Sequence, residues 1–256
     1  MKPLAVVTGA SSGIGLELAK VFADNGFDLV VAAEDMTGME LPGVEVVPVR
    51  ADLASYDGVE ALVSQVRAMG RPVDVLAVNA GVGVGGDFVR DTSVDDNLEV
   101  VNLNVTGSIH LTHRIVADMV DRKAGRVLFT SSVAATTPGP YQTVYSASKA
   151  FLASFAQGLR EELKDTGVTV TTLMPGPTDT NFFDRAGMQD TKVAQGSKDD
   201  PAEVARAGFE ALMKGKDHVV AGSLRNKVQA AVSRVLPEPV KAKLHRTMSE
   251  PGSAGA

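Results

Sequence analysis

Short apolar segments alternate along the chain with longer segments in which apolar residues recur every three or four positions. The longer segments have helical spacing, as in the stripe formed by Ile14, Leu18 and Phe22. The short segments have the length of strands and begin near Leu4, Leu29, Val44, Val73, Arg126, Thr169 and His218. Because this alternation is typical of right-handed βαβ units, it predicts an α/β fold. We expect a doubly wound parallel sheet of about seven strands with helices on both faces.

The pattern is consistent with one domain over residues 1–222, followed by an extension and a tail. Residues 223–248 are predicted to be a basic amphipathic helical extension of that domain, and residues 249–256 a flexible tail. The apolar stripe of the extension consists of Leu224, Val228, Val232, Val235, Leu236, Val240, Leu244 and Met248. A basic amphipathic helix suits an anionic membrane, so peripheral membrane contact is one alternative. We favour packing of the stripe on the domain or on a partner subunit.

The amino-acid composition excludes several classes of function. The formal net charge of −6 gives no polyanion-binding signature, and we expect no nucleic-acid partner. The chain has no cysteine, which excludes disulfides and thiolate chemistry. His110 and His113 lack a nearby third ligand in the sequence, so we predict no metal site. Neither a signal peptide nor an apolar run of about 18 residues is evident, and a cytoplasmic location is expected.

The first predicted strand runs directly into a glycine-rich turn. Residues 8–15 read Thr-Gly-Ala-Ser-Ser-Gly-Ile-Gly, and a helical pattern follows at once. Glycines permit a tight turn and a close approach of backbone to ligand, while the helix N-terminus offers free N–H groups to an anion. The turn therefore predicts a site for a pyrophosphate.

Residues 145–149 read Tyr-Ser-Ala-Ser-Lys, and Ser132 lies 13 residues before the tyrosine. On a helix, Tyr145 and Lys149 share one face. A nearby ammonium favours the phenolate, so we expect Lys149 to lower the pKa of Tyr145 toward working pH. Such a tyrosine gives a proton to a carbonyl oxygen or takes one from an alcohol. The Ser132 hydroxyl is placed to polarise that oxygen.

Together, Thr-Gly-x-x-x-Gly-x-Gly, Asn79-Ala80-Gly81, the serine 13 residues before Tyr-x-x-x-Lys, and Pro175-Gly176 resemble the short-chain dehydrogenase/reductase family. The spacing is similar to that of its single-domain branch. The resemblance implies a Rossmann-like fold and hydride transfer between a nicotinamide and a carbonyl or secondary alcohol. It also implies a homodimer or homotetramer. The family's catalytic asparagine lies 21 residues before the glycine that opens the serine-bearing strand, which selects Asn104 over Asn102.

The resemblance assigns site residues by motif. The catalytic residues are Asn104, Ser132, Tyr145 and Lys149, with Asn104 supporting a proton relay and Lys149 also holding the ribose. The cofactor-binding residues are Gly9, Ser11, Ser12, Gly13, Ile14, Gly15, Glu34, Asp52, Leu53, Asn79, Ala80, Gly81, Tyr145, Lys149, Pro175, Gly176, Thr178 and Thr180. Within this set, Asp52 and Leu53 meet adenine, and the segment from Pro175 to Thr180 surrounds the nicotinamide carboxamide.

The end of the second strand bears on the choice of nicotinamide. NADP-preferring relatives usually have arginine where Glu34 stands, because a guanidinium pairs with the 2'-phosphate. A carboxylate repels that phosphate, so we favour NAD(H). NADP(H) stays open because Arg50 is available to approach the phosphate.

The sequence indicates the substrate less clearly than it indicates the cofactor. Residues 178–199 form a long connection, here called the lid, which contains Asn181-Phe182-Phe183 and Met188. These residues predict a hydrophobic carbonyl or alcohol substrate. Two functions without turnover are the alternatives: a nucleotide-binding redox sensor and a membrane-associated scaffold. Neither alternative requires Ser132, Tyr145 and Lys149 together.

Overall fold

The computed structural model describes residues 1–35, 41–233 and 236–255. Within them, seven strands pair in parallel to form one sheet of order β3-β2-β1-β4-β5-β6-β7. The strands are β1 (Leu4–Thr8), β2 (Asp28–Ala33), β3 (Val46–Arg50), β4 (Val75–Val78), β5 (Gly125–Thr130), β6 (Val168–Met174) and β7 (His218–Val220). This confirms the predicted α/β fold and its seven strands. The segments expected to begin at Val44 and Val73 start two residues later, at Val46 and Val75.

Helices connect the strands and cover both faces of the sheet. They are α1 (Gly13–Asp24), α2 (Tyr56–Ala68), α3 (Val94–Val101), α4 (Ser108–Asp121), α5 (Thr143–Glu162), α6 (Phe182–Arg185), α7 (Lys192–Gln195), α8 (Pro201–Met213), α9 (Leu224–Ser233) and α10 (Glu238–Ser249). Apolar residues of α2, α4 and α5 share one core with the sheet, and those of α1 and α8 share another. Strand β1 serves both cores, because Leu4 and Val6 point to one face and Ala5 and Val7 to the other.

Local sequence explains where helices begin and end. Asp200 caps α8 by accepting a hydrogen bond from the Ala202 N–H, and Pro201 occupies the first helical position. Gly26, two residues after α1, has a φ of 80°, a conformation that glycine adopts without strain. These local features set the end of α1 and the start of α8.

The strand order places a switch point beside β1. β2 lies on one side of β1 and β4 on the other, so the chain crosses from one half of the sheet to the other between β3 and β4. The connections after β1 and β4 therefore diverge at the carboxyl edge and leave a crevice there. Thr8, Val78 and Thr130 end the three strands that border this crevice.

The extension packs on the domain, but not through its apolar stripe. Val228, Val232, Val240 and Leu244 are 52, 43, 44 and 57% exposed. Polar residues are buried instead: Asn226, Ser233, Lys241 and Ser249. These four residues are thus not fully buried on the chain's own domain, and their packing on a partner subunit or a membrane stays a prediction. Val235 lies outside the described residues.

The tail predicted to be flexible lies against the lid. The Gly252 N–H donates to Asp190 Oδ2 at 2.6 Å, and Ser253 Oγ accepts from the Lys192 N–H at 3.0 Å. A 3-10 turn over Ser253–Gly255 ends the described chain. The mobility of this segment stays a prediction. In the described part of the chain, no helix combines the length and apolar character needed to cross a membrane.

Candidate active site

The glycine positions of the turn between β1 and α1 have no room for side chains. Gly9 and Gly13 have φ values of 67° and 54°. A Cβ on Gly15 would lie 2.0 Å from the Gly9 oxygen, so only glycine fits there. Ser12, the N-cap of α1, makes no side-chain hydrogen bond to the helix, which leaves the first N–H groups of α1 open to an anion. The turn therefore fits the pyrophosphate of a dinucleotide.

Asn79 ties the crevice together at the end of β4. Its side-chain amide donates to the Thr8 carbonyl at 3.0 Å, and its backbone N–H donates to Thr8 Oγ1 at 2.9 Å. Its Oδ1 accepts from the Thr130 hydroxyl at 3.0 Å. Asn79 thus fixes the ends of β1, β4 and β5 relative to each other.

Three of the four predicted catalytic side chains converge at the end of β5. Ser132 lies two residues after that strand, and its side chain is near enough to the Tyr145 hydroxyl to act on the pKa of the phenol. Lys149, one turn along α5 from Tyr145, lies 5.7 Å from the centroid of the tyrosine ring. The Lys149 ammonium donates to the Thr130 carbonyl at 3.0 Å. The serine, phenol and ammonium therefore meet at one point of the crevice.

Asn104 lies behind these residues, in a π-helical segment (Asn102–Gly107) between α3 and α4. Its Oδ1 accepts from the Val82 N–H at 3.0 Å, and its Nδ2 donates to the Val82 carbonyl at 2.9 Å. Nδ2 also donates to Ser148 Oγ at 2.9 Å. A Cβ on Gly81 would lie 3.0 Å from Lys149 Nζ and 3.1 Å from Asn104 Oδ1, so the asparagine and lysine flank this glycine. The observed bonds hold the loop after β4, and the proton relay stays a prediction.

Burial controls the protonation of the catalytic pair. Removal from water raises the pKa of Tyr145 to about 12, and the Ser132 hydrogen bond acts in the opposite direction without overcoming it. Burial also lowers the pKa of Lys149 to about 8. The expectation that Lys149 brings the Tyr145 pKa down is wrong for the site as the structure has it. The cause is that both groups are shielded from water, which penalises phenolate and ammonium alike.

One cavity of about 1010 Å³ joins the glycine turn to these residues. It is lined by Ser132, Tyr145, Lys149 and all the predicted cofactor-binding residues except Asp52. Asp52 lies instead in a neighbouring cavity of about 550 Å³ with Glu34 and Arg50. Asn104, which is fully buried, does not line the main cavity. A cavity of this size suits a dinucleotide together with a small substrate.

The lid lies directly over the catalytic tyrosine. The Phe182 ring is 4.9 Å from the Tyr145 ring, centroid to centroid. A Cβ on Gly83 would lie 2.6 Å from the Phe182 ring, so the glycine-rich stretch after β4 makes room for the lid. The Ala186 carbonyl accepts from the Gly85 N–H at 2.8 Å. A wall formed by the lid and residues 81–86 therefore encloses the reaction point on one side.

Sequence reasoning missed the part of the wall that α10 provides. Lys241, His245 and Met248 of that helix line the cavity. Burial lowers the pKa of His245, and the Pro140 backbone acts in the opposite direction without overcoming it. The sequence predicts that the apolar stripe of the extension packs on protein, so nothing in the pattern indicates that basic residues such as Lys241 point inward. Ser148, which links Asn104 to the Tyr145 carbonyl, was also missed.

The model of the family described as short chain dehydrogenase matches residues 3–191. The match covers the glycine turn, the four predicted catalytic residues and most of the lid. The chain therefore belongs to the short-chain dehydrogenase family and has the oxidoreductase class of that family.

Individual relatives agree with this placement. Dehydrogenase/reductase SDR family member 7B of Mus musculus is 33% identical over 236 residues, which cover 85% of this chain and 72% of that protein. A short chain dehydrogenase of Pseudocercospora fijiensis is 36% identical over 180 residues, 67% of this chain and only 58% of that protein. These relatives are therefore longer than the part that matches.

Solved structures extend the similarity to nearly the whole fold. A short chain dehydrogenase/reductase from Burkholderia phymatum in complex with NAD has a TM-score of 0.81 and 26% identity, with 98% of this chain and 97% of that chain covered. A short-chain dehydrogenase from Sphingobium yanoikuyae in complex with NADPH has a TM-score of 0.79 and 26% identity, with 92% and 96% covered. Family neighbours thus bind either nicotinamide.

Proposed function

We propose that the protein transfers hydride between a nicotinamide cofactor and the carbonyl or secondary alcohol carbon of a hydrophobic substrate, with Tyr145 as general acid and base. The observation that supports this proposal is that Ser132, Tyr145 and Lys149 line the same wall of the cavity as the glycine turn, with Lys149 Nζ 5.7 Å from the centroid of the Tyr145 ring. The glycine turn and the N-terminus of α1 would hold the pyrophosphate. The bound nicotinamide supplies the hydride chemistry.

The chain's own residues handle the oxygen and its proton. With a pKa of about 12, the Tyr145 phenol is protonated at neutral pH and is ready to donate to a carbonyl oxygen. Ser132 is placed to donate to the same oxygen and to stabilise negative charge as it develops. In the alcohol-oxidising direction Tyr145 must first lose its proton. We therefore expect oxidation, but not reduction, to become faster as the pH rises above neutrality.

NAD(H) is the proposed preferred cofactor. Glu34 directly follows β2, is exposed, and lines the cavity, where its carboxylate would repel a 2'-phosphate. Arg50 is the basic residue in the lining of the neighbouring cavity, which it shares with Glu34. The cytoplasmic location expected from the sequence stays a prediction.

Self-association is proposed on the basis of exposed apolar side chains. On α3, Val94 and Leu98 are 73 and 51% exposed, and Ile109 of α4 is 39% exposed. Residues of this kind grouped on adjacent helices mark candidate protein interfaces. Light scattering coupled to gel filtration would report a dimer or tetramer, and a monomer at micromolar concentration would contradict this proposal.

The test of the reaction is a panel of ketones and secondary alcohols, followed by absorbance with NADH, NADPH, NAD and NADP. Tyr145→Phe should lower turnover by roughly 100-fold or more and leave nucleotide affinity largely unchanged, because only the proton is removed. Tyr56→Phe is the matched control, since Tyr56 lies on α2 away from the cavity. Near wild-type turnover by Tyr145→Phe would refute the assignment. Nucleotide binding without turnover of any panel member would favour the redox sensor instead.

A further inference from the structure

Helix α10 turns Lys241 toward the cavity and leaves the apolar side chain of Val240 exposed. Val240 and Leu244 are 44 and 57% exposed, whereas Lys241 is only 9% exposed. A surface helix normally buries the opposite set. Lys241 Nζ bonds Glu238 Oε1 at 2.7 Å, but the Glu238 side chain is 67% exposed and does not line the cavity. Lys241 therefore lines the cavity while its ion-pair partner lies outside the cavity lining.

Charged residues are sorted by sign along the cavity wall. The acidic residues that line it are Glu34, Asp35, Asp96 and Glu99, all from the β2 end or from α3. The basic residues that line it are Lys149, Arg185, Lys192 and Lys241, from α5, the lid and α10. The end of the cavity formed by the lid and α10 is thus cationic, with no carboxylate in its lining among the described residues. A cavity wall that carries positive charge attracts a negatively charged group of a ligand.

Apolar side chains line the same cavity as the cationic residues and the catalytic tyrosine. Phe182 and Phe183 of the lid, together with Leu244 and Met248 of α10, line the same cavity. Phe182 also contacts the Tyr145 ring. A ligand that reaches both ends would therefore need an apolar body between a reacting carbonyl and an anionic group.

We propose that the substrate is a carboxylate-bearing apolar ketone or its alcohol, whose carboxylate is held by Lys241 and Lys192. The proposal rests on the function proposed above and narrows its substrate class. Lys241 supplies a fixed, buried ammonium from α10. Lys192 supplies a second one from α7, whose first N–H is tied to Ser253 of the tail. The lid and the C-terminal helix would then close on opposite sides of one anionic group.

Keto acids with increasing numbers of methylenes between ketone and carboxylate should be compared with their methyl esters. We expect kcat/KM for at least one acid to exceed that of its ester by about 10-fold or more, because a hydrogen bond to a charged group is replaced by a neutral contact. Lys241→Met should lower kcat/KM for the acid by about 10- to 100-fold, mainly through KM, and change the ester by less than about twofold. Lys243→Met is the matched control, because Lys243 is exposed on the same helix and does not line the cavity.

A binding measurement separates this proposal from the proposed reaction. Titration calorimetry of decanoate should show saturable binding to wild type and Lys243→Met, and loss of binding by Lys241→Met, even if no ketone is turned over. Equal efficiency with acids and esters would overturn the proposal, as would a failure of wild type to bind decanoate. An equal loss in Lys243→Met would overturn it by indicating a general effect of surface charge. A fall in NADH affinity in Lys241→Met as large as the fall in carboxylate affinity would assign the lysine to the cofactor instead.

Discussion

Lys149 is held as a cation in a place that disfavours charge, so removing it should stabilise the fold while it abolishes turnover. Its pKa falls from 10.5 to about 8 on burial. Between those values the unfolded chain holds a proton that the folded chain has lost, so this lysine makes stability rise with pH. At pH 7 the shift corresponds to a cost of about 3 kcal/mol, of which about 1 kcal/mol is relieved by pH 9. Lys149→Met keeps the apolar stem and removes this pH-dependent cost.

The variant also leaves the Thr130 carbonyl without its ammonium donor, which costs about 1 to 3 kcal/mol and offsets part of the gain. The change with pH in the stability difference between variant and wild type is therefore a more reliable test than the size of that difference at one pH. We expect the variant's relative stability to fall by about 1 kcal/mol from pH 7 to pH 9, or about 2 to 4 °C in Tm.

Urea denaturation at pH 7, 8 and 9 measures this difference, with Lys243→Met as an exposed control that should parallel wild type. The series should stop below pH 10, because the raised pKa of Tyr145 makes stability fall with pH above that point. Stability curves of wild type and Lys149→Met that run parallel from pH 7 to pH 9 would refute the reasoning. They would mean that Lys149 keeps an ordinary pKa in the folded protein.

Three further predictions concern the cofactor and the extension. Glu34→Arg should raise the ratio of kcat/KM with NADPH to kcat/KM with NADH by about 10-fold or more, because a guanidinium replaces a repelling carboxylate. A strong preference of wild type for NADPH would contradict this expectation. Gly15→Ala should distort the glycine turn or abolish NADH binding, because its Cβ would lie 2.0 Å from the Gly9 oxygen. Near wild-type NADH affinity in a fluorescence titration would show instead that the turn can relax. Serine at both Val228 and Val232, which are half-exposed, should barely change Tm but should weaken self-association in sedimentation velocity; salt-sensitive binding of wild type to anionic vesicles would favour the membrane alternative.

The sheet and the catalytic cluster could be predicted because their signals are local. The strands are continuous apolar segments, and Gly15 or Tyr145 sits at a fixed spacing within a motif. The orientation of α10 could not be predicted in this way, because periodicity gives the relative phase of side chains and not which side faces the protein. The pKa of Tyr145 was missed for a related reason: spacing placed Lys149 beside it, but the extent of burial depends on the lid, β5 and α5 together.

The π-helical segment at Asn102–Gly107 sets how α4 is rotated about its axis relative to α3. A wider turn holds an additional residue, so α3 and α4 keep faces that a regular α-helix would rotate by about 100° relative to each other. Deleting the exposed Thr106 would let a regular helix re-form with the same relative faces of α3 and α4, and would lose the wider turn that carries Asn104 to Val82 and Ser148. A deletion here should therefore spare the packing of the two helices but disturb the position of Asn104, whereas an insertion should disturb both.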